Sequence, residues 1–397
     1  MSISSSATGL RPGVVTSTTR PTTPYLGQLI FQTDTGTMHN WDGAAWQFLA
    51  PTQQRNVLYN GAMQVAQRGT STASITATSY YTADRWRFSV NGLGTWTNTI
   101  ENDAPTGSGF CKSFKVLCTT ADASPAASDT LFLPQILEGQ DLQAFRKGTS
   151  SAQQFTLSFW VKANVTGTYI CRLIDLDNTR HTCKSYTISA SATWEFKTIT
   201  FAADTTGAFD NDNAGSLQVQ WWLAAGSDFT SGTLATTWAS SVSANIAPGQ
   251  TNLAAATNNY WQITGVQLNV GGVAAPFEFK SYGQELLECQ RYCQLYEPAA
   301  NDRAVIMGVA YQTTQVIGSF VFPVMRAAPT ATITNAGTID VVIGNSVVTS
   351  NLTFGAANFT TYSAQVDATN TGAVFTLGHA GLIRFDSGFK MVLSAEL

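Results

Sequence analysis

The sequence predicts a mainly β protein: a small N-terminal hairpin module, a central antiparallel jelly-roll β-sandwich, one short linking helix and a C-terminal β domain. Apolar and polar side chains alternate along short runs rich in Thr, Val, Phe and Trp, and Gly, Asn and Asp turns separate these runs. Only one segment shows a strong helical period. The 397 residues also exceed what one domain usually holds, so two or three compact units are expected.

The first 50 residues divide into a Ser/Thr-rich start and a compact hairpin module. The start has little apolar content and is expected to be extended, or to order against a partner. Between residues 27 and 46, three apolar runs are broken at Asp34-Thr35-Gly36 and Asp42-Gly43, residues that tolerate the positive φ of tight hairpin turns. Residues 1–50 are therefore predicted to be an attachment segment with a hairpin module, followed by a linker at residues 51–54.

Residues 55–282 are predicted to form the sandwich. The run from Phe155 to Lys162 alternates clearly, with Trp160 and Lys162 on the face that points away from the apolar side chains. The run 217–223 alternates in the same way, and its outward residues are Gln218, Gln220 and Trp222.

The helical period covers residues 284–297 and ends before Pro298. Residues 283–300 are therefore predicted to be a helical neck, and 301–397 a C-terminal β-rich domain. The apolar side chains of this helix could form a threefold neck, or they could lie across the adjacent sandwich. They are Leu286, Cys289, Cys293 and Tyr296.

Several motifs resemble bacteriophage tail-fibre and receptor-binding proteins. They include Thr-Asp-Thr-Gly and Trp-Asp-Gly-Ala-Ala-Trp in the hairpin module, and Tyr-Thr-Ala-Asp-Arg-Trp at residues 81–86. The most specific is the segment 276–296, with Glu-Leu-Leu-Glu-Cys-Gln-Arg-Tyr at its centre. The strands near residues 158–163 and 260–268 also resemble the jelly-roll carbohydrate-binding modules that accompany glycan-degrading enzymes.

The resemblance implies a virion protein of the phage tail that is synthesised in the host cytoplasm. It implies a homotrimer that attaches to other phage tail or virion proteins through its N-terminal segment. The C-terminal domain would form the tip, with the central sandwich left open as the alternative, and the partner would be a host surface polysaccharide.

Composition excludes other partners. Only 12% of the residues are charged, the net charge is −4, and Lys and Arg form no basic stripe, so nucleic acid is not expected. Residues 229–277 carry no charge but are rich in Ser, Thr, Asn and Gln, so membrane insertion is not expected either.

The six cysteines are expected to be free thiols, as is usual for a protein made in a cytosol.

Two tryptophans are candidate glycan contacts because aromatic rings stack on sugars when amide and hydroxyl donors flank them. One candidate group is Trp160 with Lys162, and the other is Trp222 with Gln218 and Gln220. The alternative is that either tryptophan packs under a loop or at a subunit interface.

Catalysis and cofactors are not expected. The acids of the central domain lie next to turn residues, where solvation and turn formation explain them; they are Asp175, Asp177, Glu195, Asp204, Asp210 and Asp212. The loop 210–215 partly imitates a calcium loop but has Ala214 at the fifth position, although calcium held by other loops stays open.

The predicted function is host adsorption without cleavage; the alternatives are a tailspike-like polysaccharide depolymerase or a purely structural head or tail fibre.

Overall fold

The computed structural model of the chain describes residues 12–49, 55–298, 304–334, 339–344 and 346–397. The predicted linker at 51–54 and the first eleven residues of the attachment segment lie outside the described residues. The predicted fold class is confirmed, because strands dominate every described region and build several antiparallel sheets.

The N-terminal module is a four-stranded sheet with the strand order β1-β2-β3-β4. Its strands are β1 (Gly13–Val15), β2 (Leu29–Gln32), β3 (Thr37–Trp41) and β4 (Trp46–Leu49). The first pair is parallel and the other two are antiparallel hairpins. Gly36 and Gly43, with φ of 66° and 103°, occupy the two predicted turns.

The central domain contains thirteen strands in two sheets. They are β5 (Ser71–Ile75), β6 (Ser79–Tyr80), β7 (Arg87–Asn91), β8 (Thr95–Glu101), β9 (Ser113–Thr120), β10 (Thr130–Glu138), β11 (Phe155–Ala163), β12 (Gly167–Asp175), β13 (Arg180–Ile188), β14 (Glu195–Phe201), β15 (Gly215–Ala225), β16 (Ala239–Ser240) and β17 (Tyr260–Val270). A seven-stranded sheet has the order β16-β13-β12-β15-β10-β7-β6, and a six-stranded sheet has the order β14-β11-β17-β9-β8-β5. A four-residue helix, α1 (Ser227–Thr230), follows β15.

The two sheets face each other across one aromatic core. Phe159 of the six-stranded sheet meets Trp221 of the seven-stranded sheet edge to face, with ring centroids 5.8 Å apart. Trp86 packs on the same indole at 5.4 Å. The inward-facing residues of β11 and β15 are fully buried, as their alternation predicts.

The linking helix is shorter than predicted. Helix α2 (Tyr282–Gln290) begins at a capping box formed by Ser281 and Gln284, and it ends at Gln290. The next four residues form β18 (Cys293–Tyr296), which pairs with a C-terminal strand. The prediction of a helix to residue 297 is therefore wrong beyond Gln290, because cross-strand pairing and full burial of Cys293 outweigh the local helical period.

The shared helical face proposed for a threefold neck consequently does not form, since two of its four residues lie on β18. The helix instead contacts the sandwich, where the Glu285 carboxylate accepts a hydrogen bond from the backbone N–H of Asn60. This arrangement is the second of the two that the sequence left open.

The C-terminal domain has a three-stranded sheet, β18-β27-β21, and a seven-stranded sheet, β23-β22-β26-β19-β20-β25-β24. Its further strands are β19 (Ala304–Gln312), β20 (Gln315–Val321), β21 (Thr330–Thr334), β22 (Ile339–Ile343), β23 (Ser346–Val348), β24 (Leu352–Ala357), β25 (Ser363–Asn370), β26 (Ala380–Phe385) and β27 (Lys390–Ser394). A separate core forms here around Phe354, Phe385 and Phe389.

The last residues of the chain return to the sandwich. The fully buried Arg85 pairs with Glu396, and the Tyr80 hydroxyl donates to the carbonyl of Leu397 at 2.8 Å. Arg326 donates to the carbonyls of Ala395 and Glu396 at 3.0 and 3.3 Å. These contacts join the C-terminal segment to the central domain.

All six cysteines are free thiols in the structure. Among the described residues, neither helix has the length and apolarity needed to cross a membrane.

Candidate functional site: an aromatic face on the six-stranded sheet

The structure separates the two predicted glycan groups. Trp160 and Lys162 lie on the outer face of the six-stranded sheet, whereas Gln218, Gln220 and Trp222 lie on the outer face of the seven-stranded sheet. We call the first the open face, marked by Trp160, Lys162, Trp194 and Phe196. We call the second the covered face, marked by Arg172, Gln218, Gln220 and Trp222.

The indole of Trp222 on the covered face is 2% exposed. It stacks on Phe132 with ring centroids 4.8 Å apart, and Phe229 of the following segment packs on it at 5.5 Å. Ile246 and Ala247, later in the same segment, complete its buried cluster. The assignment of Trp222 as a glycan contact is therefore wrong, because segment 226–247 leaves no ring surface on which a sugar could stack.

The polar groups beside Trp222 are also engaged. The Oε1 atom of Gln220 accepts from the Trp222 indole at 2.9 Å and from Arg172 at 3.4 Å, and its amide donates to Gln218 at 2.9 Å. Gln220 is 3% exposed, so the structure contradicts its assignment too, while Gln218 is half-buried. Burial, then the charge of Arg172, lowers the pKa of His181 beneath the same segment to about 4.

On the open face, Trp160 of β11 stands opposite Phe196 of β14, with ring centroids 5.3 Å apart. Trp160 is half-buried and Phe196 is 50% exposed, so the pair presents ring surface to solvent. Gly265 of the neighbouring strand β17 leaves space for the rings of Trp160 and Phe110. Its φ is 61°, and a Cβ atom there would lie 2.6 Å from the ring of Phe110 and 3.1 Å from Trp160.

Three phenyl rings form a wall beside this pair. Phe110 lies 4.8 Å from Phe277 and 5.1 Å from Phe279, measured between ring centroids. Together with Trp160 and Phe196 they line a cleft of about 310 Å³. Rings along a cleft of this size match the mostly apolar lining of small-ligand sites.

The polar part of the open face centres on Asp103. Its carboxylate accepts from the Lys162 ammonium, from the Trp194 indole at 3.1 Å and from the Gln262 amide at 3.3 Å. Burial tends to raise the pKa of Asp103, but the hydrogen bonds from Lys162 and Trp194 outweigh it and lower the pKa. Lys162 also lies over the Trp194 ring at 5.2 Å, so a fixed ion pair flanks the aromatic pair.

Sequence reasoning found Trp160 and Lys162 but missed their partners. Phe196 could have been found, because Glu195–Phe201 alternates and opposes the run that contains Trp160. Asp103 gave no signal, since it lies in a loop whose approach to Lys162 depends on the tertiary fold.

The acids considered for catalysis serve other contacts. Glu195 accepts from the backbone of Ser189 and Ala190 and pairs with Lys197 at 2.6 Å. Two further acids, Asp175 and Asp204, both bind the buried ammonium of Lys147.

Two of the three remaining acids, Asp177 and Asp212, stabilise turns. Asp177 accepts from the backbone N–H of Asp210 at 3.0 Å, and Asp212 accepts from the N–H of Ala214 at 2.9 Å. Within the described residues no three His, Cys, Asp or Glu side chains converge as metal ligands. The loop 210–215 does not resemble a calcium loop further, because Ala214 supplies no side-chain oxygen and its N–H engages the Asp212 carboxylate.

A larger cavity of about 570 Å³ lies in the C-terminal domain. Its lining is mainly apolar and includes Tyr296, Met307, Phe320, Phe389 and Met391. It combines few polar groups with much apolar surface, so it suits an apolar side chain better than a hydroxyl-rich sugar.

Comparison with known proteins gives weak similarity over about half of the chain. The enzymatically active domain of bacteriophage CBA120 tailspike protein 4 is 16% identical with a TM-score of 0.28, and the match covers 54% of this chain and 21% of that chain. This chain thus spans about a fifth of the tailspike structure.

Two structures of sugar-binding proteins give similarly low identities and TM-scores. A putative sugar binding protein from Bacteroides thetaiotaomicron is 12% identical with a TM-score of 0.31, covering 54% of this chain and all of the other. TmCBM61 in complex with beta-1,4-galactotriose is 10% identical with a TM-score of 0.27, covering 54% and 99%. No protein-family model and no curated protein sequence matches the chain.

Proposed function

We propose that the protein is a non-catalytic receptor-binding component of a phage tail fibre, and that it adsorbs to a host surface polysaccharide through the open face. One observation carries the glycan-binding part of this proposal: the solvent-facing rings of Trp160 and Phe196 lie beside the bridged polar group of Lys162, Asp103 and Trp194. Apolar sugar faces stack on aromatic rings, and sugar hydroxyls bond to the flanking donors and acceptors.

The rigidity of the open face supports binding by a preformed site. Trp160 and Phe196 are held in register by β11 and β14, and hydrogen bonds fix the carboxylate of Asp103 before any ligand arrives. Ordering these groups in advance lowers the entropy lost on binding, which favours a usable affinity from few contacts.

The engagement of the central acids supports a non-catalytic role. A glycosidase needs two carboxyl groups that flank the scissile bond and are free to donate or accept a proton. Asp175 and Asp204 instead share one buried ammonium, and Glu195 pairs with Lys197. These acids are therefore assigned to structure.

Sequence motifs support the virion assignment, namely the hairpin module and the segment 276–296. An apolar stripe on β19 supports self-association, for which the sequence resemblance implies a homotrimer. Val305, Met307, Val309 and Tyr311 point outward from a central strand and are 40–77% exposed. Antiparallel sheets usually turn polar residues to solvent, so an uncharged stripe there favours contact with another copy. Placing the glycan contact on the open face favours the sandwich as the part that meets the host, the alternative to residues 301–397 that the sequence left open.

The test is binding of the purified full chain to host cells before and after periodate oxidation of their surface sugars. We expect binding that periodate abolishes, and no release of reducing ends when the protein is incubated with purified host polysaccharide. Binding that survives periodate would rule out a glycan receptor. Release of reducing ends would establish the depolymerase alternative, and no binding by the intact oligomer would favour a structural fibre.

A further inference from the structure

A lysine is completely buried at one end of the sandwich. The side chain of Lys147 is 0% exposed, and four oxygen atoms surround its Nζ atom. Asp175 lies at 2.5 Å, the carbonyl of Gly207 at 2.7 Å, the carbonyl of Thr206 at 2.9 Å and Asp204 at 3.1 Å. The rings of Phe209 and Trp238 lie 5.3 and 5.1 Å from the same nitrogen and close the site.

The oxygen cage is held by groups other than the lysine. Asn178 donates to Asp175 through its backbone at 3.0 Å and through its side-chain amide at 3.0 Å. Arg180 binds both oxygens of Asp204, at 2.9 and 3.1 Å. Gly148 packs so closely that a Cβ atom would lie 2.4 Å from the backbone of Ala208. The two carboxylates of the cage are thus also held by groups other than the ammonium of Lys147.

The charges of this cluster balance. Two carboxylates, Asp175 and Asp204, meet two cations, Lys147 and Arg180. Removing one partner from a buried ion group leaves a charge without compensation, which is strongly destabilising. Without Lys147, the cluster would hold two carboxylates against one guanidinium and would need another cation.

The four oxygen donors are of the kind found in hard-cation sites, although calcium takes roughly six to eight, so water would have to complete its shell. Carboxylate and carbonyl oxygens are the ligands that hard cations such as calcium prefer. Calcium has no room in the cage of the wild type, because the ammonium of Lys147 already fills it.

We propose that Lys147 is a built-in cation, and that its oxygen cage binds a hard metal cation, calcium or potassium, once the ammonium is removed. This goes beyond glycan binding, because the cage lies apart from the open face and concerns the cation requirement of the fold. The wild-type sandwich would therefore keep its structure whatever the calcium concentration around it.

Lys147→Ala in the full chain tests the proposal, with terbium as a luminescent probe for calcium. Trp238 lies close enough to sensitise terbium in the cage, so we expect tryptophan-excited emission that calcium suppresses by competition. We also expect a melting temperature several degrees below that of the wild type, which calcium or potassium chloride restores. Comparing the two salts with sodium chloride at equal ionic strength identifies the ion that the cage accepts.

Two controls make the result decisive. Lys197→Ala removes a lysine that pairs with Glu195 but has no such cage, so it should give neither emission nor rescue. Lys147→Met keeps the volume without the charge, so it should be destabilised and not rescued. The proposal is overturned if the wild type loses stability on chelation or binds terbium at this site. It is equally overturned if Lys147→Ala binds no ion, or fails to fold with either salt present.

Discussion

The open and covered faces share one sequence pattern, but the tryptophan is partly exposed to solvent on the open face and buried on the covered face. In both, a tryptophan lies among polar residues on the outward side of an alternating strand. Trp222 is sealed by the segment that follows its strand, whereas Trp160 keeps ring surface in solvent beside Phe196. Alternation along a strand therefore tells which face a side chain takes, but not whether a later segment packs over that face.

The covering segment has a physical reason to fold back. It carries Phe229, Leu234 and Ile246 within a stretch that has no charged residue, and these apolar groups pack against Trp222 and Cys183. Burying them against a second apolar surface is more favourable than exposing both. The region around Phe110 and Phe279 instead packs beside Trp160, which builds a cleft.

The largest expected contrast between the faces is in stability. Trp222→Ala should lower the free energy of unfolding by about 3–5 kcal/mol, since it empties a packed aromatic site. Trp160→Ala should cost about 1–2 kcal/mol, because part of that side chain is already in solvent. Denaturant unfolding followed by circular dichroism measures both. Equal losses for the two variants would contradict the distinction between the faces.

The covered face should also make stability depend on pH through His181. Its pKa is about 4 in the folded chain, below its ordinary value of 6.5, so below pH 6.5 the unfolded chain takes up a proton that the folded chain refuses. Stability is therefore lost as pH falls from 6.5 to 4. Relative to His181→Gln, the wild type should lose about 2–3 kcal/mol over this range.

Unfolding midpoints of the wild type and His181→Gln at pH 7, 5.5 and 4 measure this effect. The comparison between the two proteins removes other titrations, among them Asp84, whose pKa burial raises to about 6. If the unfolding midpoints of the two proteins change in parallel with pH, His181 does not contribute to the pH dependence of stability.

Binding should separate the faces in the opposite sense. Trp160→Ala should weaken binding to host polysaccharide about tenfold or more, which corresponds to about 1.4 kcal/mol. Trp222→Phe keeps a stacked ring against Phe132 and should leave affinity unchanged. Isothermal titration calorimetry of host polysaccharide into each folded variant measures both affinities. An equal loss of affinity in the two variants would place the binding site elsewhere.

The smallest expected effect concerns the polar part of the open face. Lys162→Met should weaken polysaccharide binding about threefold, or less than 1 kcal/mol, because its partly exposed pair with Asp103 orders a polar group without supplying the stacking surface. The same titration at low and high salt measures this, with Lys197→Met as the control. A loss as large as that of Trp160→Ala would make charge the main determinant of affinity.

Much of the fold follows from local pattern. The hairpin module, the facing of β11 and β15 and the strands of the C-terminal domain obey period-two alternation, which depends on neighbouring residues alone. The end of α2 could not be predicted in this way, since Cys293 joins β27 from about a hundred residues away. Asp103 approaches Lys162 only in the folded chain, so the polar part of the candidate site could not be predicted from local sequence either.

Hydroxyl-radical footprinting of the full chain, with and without purified host polysaccharide, shows directly whether the open face binds the glycan. It reads oxidation at individual side chains, so it reports which face the glycan shields. We expect protection of Trp160, Trp194 and Phe196, with no change at the exposed Tyr362 of the C-terminal domain. Saturating polysaccharide that leaves the open face unprotected, or that protects Tyr362 alone, would contradict this expectation.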